Sequence, residues 1–375
     1  MKTIRLAIVR QKYRPDGGAE RFISRALEAL DPKVLALHII TRQWPGTSWP
    51  ACHLHICNPR GNSRIARERG FSDAARRYWQ QHHFDLVQSH ERISGCDVFR
   101  AGDGAHRAWL EHRERIVPIH KRWLTHISPY HRSVLSAERE MFYSSQLKKI
   151  ICNSTMVRDD IMCYYGVKEH KCALIYNAID PTQFAPGNGA QRQVAREALS
   201  IPEKARALIF VGSGFARKGL RQALCAIVKT DLYLIVVGQD KHQWRYQALA
   251  KSLGCLSHVR FIGVCQDVIP YYHAADALIL PTLYDPFPNA ILEAMSCGLP
   301  VITSHHCGGA EFIKQGREGF ICDALDIHSL RTFVAEIPRW EQDLAMSVAA
   351  RQRVSRCTPE NLSRQLMGLY RQLLS

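Results

Sequence analysis

The sequence predicts an α/β protein of two domains, each built on a parallel sheet with connecting helices. Three observations carry that prediction. At 375 residues the chain exceeds one ordinary hydrophobic core, so two domains of about 180 residues are the natural division. In both halves, short apolar runs bounded by turn residues alternate with stretches of helical period, the pattern of strand–helix–strand units. Between the halves, Asn177-Ala178-Ile179-Asp180-Pro181 breaks that pattern and opens a polar, Gly- and Pro-bearing stretch through Gly189, which reads as the linker.

In the N-terminal half, Arg5 to Val9 is the first strand. A loop leads to Gly17-Gly18-Ala19-Glu20, which opens a helix through about Ala29. Paired glycines there serve either close approach of a ligand to the backbone or a plain tight turn. Val34 to Thr41 and Phe84 to Gln88 read as further strands, with a basic helical segment, Arg64 to Trp79, between them. In Asp97 to Gly104 (DVFRAGDG), Asp103 lies between two glycines, either as a turn residue or as a short acid projecting from a flexible loop.

Residues 106–141 mix Trp109, Leu110, Ile116, Val117, Trp123, Leu124 and Ile127 with Arg107, Arg113, Arg115, Lys121, Arg122 and Arg132, on segments broken by Pro118 and Pro129. That content suits a surface that meets anionic lipid, or an ordinary amphipathic face with a solvated basic side. Lys148 to Asn153 is a strand, Ser154 caps the next helix, and Gly166 closes it. Cys172 to Tyr176 is the last strand of this half.

In the C-terminal half, Ala207 to Val211 is a strand, and Gly212-Ser213-Gly214-Phe215-Ala216-Arg217-Lys218-Gly219 turns into a helix. Glycines let a backbone reach phosphate and the two cations neutralise it, although the spacing is not that of a Walker loop. Val259 to Gly263 is a further strand. Ala277 to Leu280 reads as a buried strand that Pro281 ends. After a loop, Pro288 opens a helix in which Ala290, Ile291, Ala294 and Met295 recur at helical spacing. Gly298 caps it, and Val301 to Thr303 is the next strand.

This unit aims free backbone N–H groups of Asn289, Ala290 and Ile291 at the crevice beyond the strand ends, where anions bind. Asp285 and Glu293, with seven residues between them, can accept hydrogen bonds from hydroxyls. A ligand carrying phosphate and sugar hydroxyls fits both features; a generic α/β repeat that carries two acids is the rival reading.

The formal net charge of +16 implies acidic partners, either nucleic acid or an anionic membrane. No nucleic-acid recognition motif appears, so nucleic acid is set aside as a partner. No apolar run reaches transmembrane length and Lys2 and Arg5 interrupt the start, so a cytoplasmic protein is expected. The 13 cysteines form no C-x-x-C pair, which argues against a zinc site or a disulfide framework. No paired-aspartate motif suggests a metal.

The string from Asp285 to Val301 resembles the signature of the retaining glycosyltransferases of family 4, in which two glutamates flank seven residues and A-M-x-x-G-x-P-V follows. Here Asp285 stands for the first glutamate, and Pro288 stands where the family often has glycine. The resemblance implies the GT-B fold, two Rossmann-like domains facing across a cleft. The N-terminal domain, 1–180, would hold the acceptor and receive the last helix, 358–375; the second, 181–357, would hold the nucleotide sugar. It implies no metal and no cofactor beyond that sugar cosubstrate.

Residue by residue, the resemblance puts Asp285 near the donor sugar, Glu293 on the ribose, and Phe287, Asn289, Ala290 and Ile291 in the donor pocket. Gly263 leads to the base-binding loop, and Gly17 and Gly18 face the donor phosphates and the acceptor. The strings GSGFARKG (212–219), VVGQDK (236–241) and GCDVFRAGD (95–103) look like those of bacterial lipopolysaccharide core glucosyltransferases. There an Arg-Lys pair binds the diphosphate and the final aspartate stands near the reacting carbons. That likeness implies Arg217 and Lys218 as diphosphate ligands and Asp103, Lys218 and Asp285 as the catalytic set. It also implies UDP-glucose as donor, a lipopolysaccharide core or glycolipid as acceptor, and work at the cytoplasmic face of the inner membrane. UDP-N-acetylglucosamine, a GDP-sugar, and a nucleotide-sugar epimerase of the same fold are the alternatives.

Overall fold

The computed structural model describes residues 3–12, 34–44, 52–340 and 344–375. Gly17, Gly18 and the helix expected after them lie outside the described residues. The chain forms two compact units, Met1–Asn177 with Pro359–Ser375, and Ala178–Thr358.

Unit 1 is built on a seven-stranded sheet: β1 (Ile4–Val9), β2 (Leu35–Thr41), β3 (Cys52–Ile56), β4 (Leu86–Ser89), β5 (Val98–Arg100), β6 (Lys149–Cys152) and β7 (Cys172–Leu174). Their order is β3-β2-β1-β4-β5-β6-β7, and every pairing is parallel. β4 and β5 are buried along their whole length, as parallel strands covered on both faces must be. Sequence reasoning missed two strands. β3, CHLHI, is a largely solvent-facing edge strand whose histidines break any apolar run, and β5 is only three residues long.

The caps expected around the helix Thr155–Tyr165 are present. Ser154 accepts a hydrogen bond from the Val157 N–H, and Gly166 takes the left-handed conformation, its N–H donating to the Met162 carbonyl. The last helix, Pro359–Leu374, belongs to this unit. It buries Leu362, Leu366, Leu369 and Tyr370 at helical spacing, and the Tyr370 hydroxyl donates to Gln88 Oε1 of β4 at 2.8 Å.

Unit 2 carries six strands: β8 (Ala207–Val211), β9 (Tyr233–Val237), β10 (Val259–Gly263), β11 (Ala277–Leu280), β12 (Val301–Ser304) and β13 (Gly319–Cys322). They lie in the order β10-β9-β8-β11-β12-β13, again all parallel. Residues 175–188, between the two sheets, hold no helix or strand, and the helix Gly189–Ala198 starts on a capping box between Asn188 and Gln191.

Both sheets reverse their strand order once, between β1 and β4 in unit 1 and between β8 and β11 in unit 2. In a parallel sheet the connections leave on opposite faces at such a point, and a crevice opens beyond the C-terminal ends of the two strands. Among the described residues no helix is long and apolar enough to cross a membrane.

Candidate active site

In unit 2 the expected diphosphate ligands and the expected catalytic acid meet at the reversal point. Arg217 and Lys218 lie in a single helical turn, Phe215–Lys218, that follows β8, and Asp285 lies in the loop that follows β11. Arg217 Nη1 sits 2.5 Å and Lys218 Nζ 2.7 Å from the same carboxylate oxygen, Asp285 Oδ2. The backbone joins the two loops: the Leu283 N–H and the Thr282 hydroxyl both donate to the Arg217 carbonyl, each at 2.9 Å. Asp285 is held from its other side, its N–H donating to the His306 carbonyl and its carbonyl accepting from the Gly308 N–H.

Gly219 makes this junction possible. Its φ of +84° is unfavourable for any other residue, and a Cβ there would lie 2.0 Å from the Pro281 carbonyl oxygen. The neighbouring loops are tied in as well. The Phe215 N–H donates to Asp240 Oδ2, the Gln239 N–H to Ser213 Oγ, and the Gly238 N–H to the carbonyl of Gly263. Gly263, expected at the base-binding loop, thus belongs to the same strand-end layer as Arg217 and Lys218.

Two cations face one carboxylate here, leaving one positive charge to attract an anion. Burial alone would raise the Asp285 pKa, but Lys218 and Arg217 outweigh it and hold the carboxyl below its ordinary value. Lys218 is only 8 % exposed; burial and then Arg217 lower its pKa despite the pull of Asp285. The side chain of Arg217 is about one-third exposed, so its guanidinium is the one that reaches toward solvent.

The second acid, Glu293, lies deeper. Glu293 is 1 % exposed, and its Oε2 accepts from the buried Tyr272 hydroxyl at 3.0 Å. It lies on the helix Asn289–Ser296, all of whose residues are buried. Asp285, Phe287, Asn289, Ala290 and Ile291 are buried too. Pro288 is the residue before the first helical turn, and its carbonyl accepts from the Ile291 N–H at 3.1 Å, so that amide is engaged rather than free. Closing the first turn this way satisfies a group that a longer N-terminal loop would leave for a ligand.

Unit 1 gathers its own charged group beyond the ends of β1, β4 and β5. Arg10 Nη1 lies 3.4 Å from Glu91 Oε1 and 3.9 Å from Asp103 Oδ2, and Glu91 Oε1 also accepts from the Gln11 N–H. Burial pushes the Glu91 pKa up against the opposing pull of Arg10 and that amide. The Asp103 side chain is 58 % exposed. Sequence reasoning singled out Asp103 but missed Arg10 and Glu91. Their position was the available signal, since Arg10 directly follows β1 and Glu91 lies two residues past the end of β4, at the reversal point. Among the described residues no group of three or more His, Cys, Asp and Glu is placed to hold a metal ion.

Within 106–141, the buried residues are Ala108, Leu110, Thr125, Val134, Glu138 and Met141. Ile116, Ile119, Trp123, Leu124 and Ile127 are exposed instead, Ile119 by 80 % and Trp123 by 57 %. The two readings of this segment therefore divide it: its flanking helices pack on their own unit, and the stretch between them, which includes the short helix Trp123–Ile127, presents apolar side chains outward.

Comparison with known proteins agrees with this architecture. A model described as Glycosyltransferase Family 4 matches residues 16–183, and one described as Glycosyl transferases group 1 matches residues 191–352. The lipopolysaccharide glucosyltransferase WaaG of Escherichia coli (strain K12) is 26% identical over 317 residues, covering 83% of this chain and 83% of its own. A crystal structure of WaaG shares the fold with a TM-score of 0.83, covering 97% of this chain and 99% of that one at 23% identity. A D-inositol 3-phosphate glycosyltransferase of Corynebacterium urealyticum (strain ATCC 43042 / DSM 7109) is 25% identical over 324 residues, 81% of this chain and 75% of its own. Anabaena Alr3699/HepE, solved in complex with UDP-glucose, has a TM-score of 0.74 at 14% identity over 98% of this chain and 100% of its own.

Proposed function

The chain is a glycosyltransferase of family 4 with the GT-B fold, and we propose that it moves glucose from UDP-glucose to a lipopolysaccharide core or glycolipid acceptor. The observation that carries the donor half is the convergence of Arg217, Lys218 and Asp285 at the strand reversal of unit 2. Breaking an anomeric C–O bond throws negative charge onto the departing diphosphate. Arg217 and Lys218 are the groups that meet it, fixed in place before the reaction starts. Asp285, anchored by its backbone and shared between the cations, would orient the sugar and limit how tightly they grip the diphosphate. Asp103 would face the acceptor hydroxyl. Transfer would proceed with retention of configuration, as the family resemblance implies.

UDP-glucose is favoured by the WaaG likeness and by the UDP-glucose complex of a protein with similar fold. The likeness to inositol phosphate glycosyltransferases supports a second acceptor reading, a phosphorylated inositol. Thermal-shift screening of UDP-glucose, UDP-N-acetylglucosamine and GDP-sugars, followed by transfer of labelled sugar to a heptose-containing lipid or to inositol phosphate, tests both readings. Stabilisation by none of the nucleotide sugars would refute the donor assignment.

The exposed stretch of 106–141 would seat the enzyme on the anionic cytoplasmic face of the inner membrane. Ile119, Trp123 and Ile127 would enter the interface, with Arg115 and Lys121 beside the headgroups. Co-sedimentation with anionic vesicles is expected to fall in a variant with Arg113, Arg115, Lys121 and Arg122 neutralised. Undiminished binding would end this part of the reading.

A further inference from the structure

Glu138 lies on the helix Pro129–Phe142, distant in sequence from Asp103, and it is 1 % exposed. Its carboxylate collects three donors. Oε1 accepts from Arg92 Nε–H at 2.7 Å and from the His106 backbone N–H at 2.7 Å, and Oε2 accepts from the Tyr165 hydroxyl at 2.5 Å. Arg92 also donates through Nη2 to the Gly104 carbonyl at 3.3 Å. On the other side of the loop, Asn153 Nδ2 donates to the Gly102 carbonyl at 3.4 Å, and the Gly104 N–H closes a turn onto the Ala101 carbonyl at 3.1 Å.

The backbone on each side of Asp103 is therefore held by side chains from other elements. The two flanking glycines suit this tight course. A Cβ at Gly102 would lie 2.3 Å from Arg100 Nη1, and Gly104 has a φ of +66°. What the loop leaves projecting is the Asp103 carboxylate, near Arg10.

A buried ion pair is a costly way to gain stability, because desolvation offsets most of the attraction and apolar side chains of similar size serve as well. Apolar side chains cannot, however, fix an amide, a carbonyl and a hydroxyl in set directions. We propose that Glu138 and Arg92 are positioning residues that hold the Asp103 loop so that its carboxylate meets the acceptor hydroxyl. This rests on the reading of Asp103 given under the proposed function. The device acts by orientation: a displacement of the reacting group by roughly 1 Å costs about 100-fold in rate.

The test is a double-mutant cycle on kcat for sugar transfer by the full chain, using Glu138→Gln, Asp103→Asn and the two combined. UDP affinity and thermal unfolding are measured beside it. Glu138→Gln is expected to lower kcat by about 10- to 100-fold while UDP affinity stays unchanged. In the Asp103→Asn background the same change is expected to add less than about twofold, because it acts through a group already lost. Tyr165→Phe removes one donor without leaving a charge unpaired, and serves if Glu138→Gln folds poorly. Its smaller loss is likewise expected to vanish beside Asp103→Asn. Losses that multiply, or wild-type kcat in Glu138→Gln, overturn the positioning role. Normal transfer by Asp103→Asn alone overturns the reading of Asp103 beneath it.

Discussion

Lys218→Ala is the sharpest probe of the donor site. The Lys218 side chain is largely buried, its Nζ 2.7 Å from Asp285, and stands among the groups expected to hold the leaving diphosphate. A unit charge about 4 Å from a phosphate charge is worth about 4 kcal/mol at an effective dielectric of 20. Asp285 shares the same ammonium, which moves the figure toward the lower part of the range of about 2.7–4 kcal/mol found for a preorganised donor facing developing charge. The expected loss in kcat is thus about 100- to 1,000-fold. The fold should survive, because Asp285 keeps Arg217 as a partner and no charge is left alone. The assay is transfer of labelled sugar under saturating donor, with circular dichroism and thermal unfolding to confirm structure. Transfer within about threefold of wild type by a folded variant would remove Lys218 from the mechanism.

Two further outcomes are expected. Gly219→Ala should destabilise the chain by at least about 1–3 kcal/mol through backbone strain alone, with further cost from the contact with Pro281, and should impair transfer by disturbing the β8–β11 junction; urea unfolding with an unchanged midpoint would contradict the junction described. On β2, burial and then His53, His55, Arg5 and His82 lower the His38 pKa from 6.5 to about 4, so the folded state favours the neutral imidazole. That contribution is complete above pH 6.5 and is lost as pH falls from 6.5 through about 4, so Tm should drop over that window and drop less in His38→Gln. Equal slopes in the two proteins would show that His38 carries none of it.

Much of the strand framework was legible because parallel strands buried on both faces appear in the sequence as unbroken apolar runs, as ALIFV and ALIL do. The same logic hid β3, whose solvent-facing edge carries His53 and His55. Arg217, Lys218 and Asp285 could be named from local strings, in the loops that follow β8 and β11. Arg10 and Glu91 carry no recognisable string; their place past a strand end was the one sequence signal, and their convergence with Asp103 is what singles them out. The surroundings of Glu293 were hidden for another reason. Spacing within a helix fixes which face a residue occupies, but whether that face meets a ligand or Tyr272 depends on what packs against it.

By itself, then, the sequence determined which segments become strands, where turns and caps fall, and which residue types stand at the strand ends. These are local matters, governed by periodicity, glycine conformational freedom and the burial of apolar side chains. Only the tertiary structure decided that a cation pair after β8 shares one oxygen of an acid after β11, and that Glu138 reaches back to hold the loop of Asp103. Strand order brings such residues together across many intervening positions, and strand order is set by the packing of whole elements, which no local stretch of chain encodes.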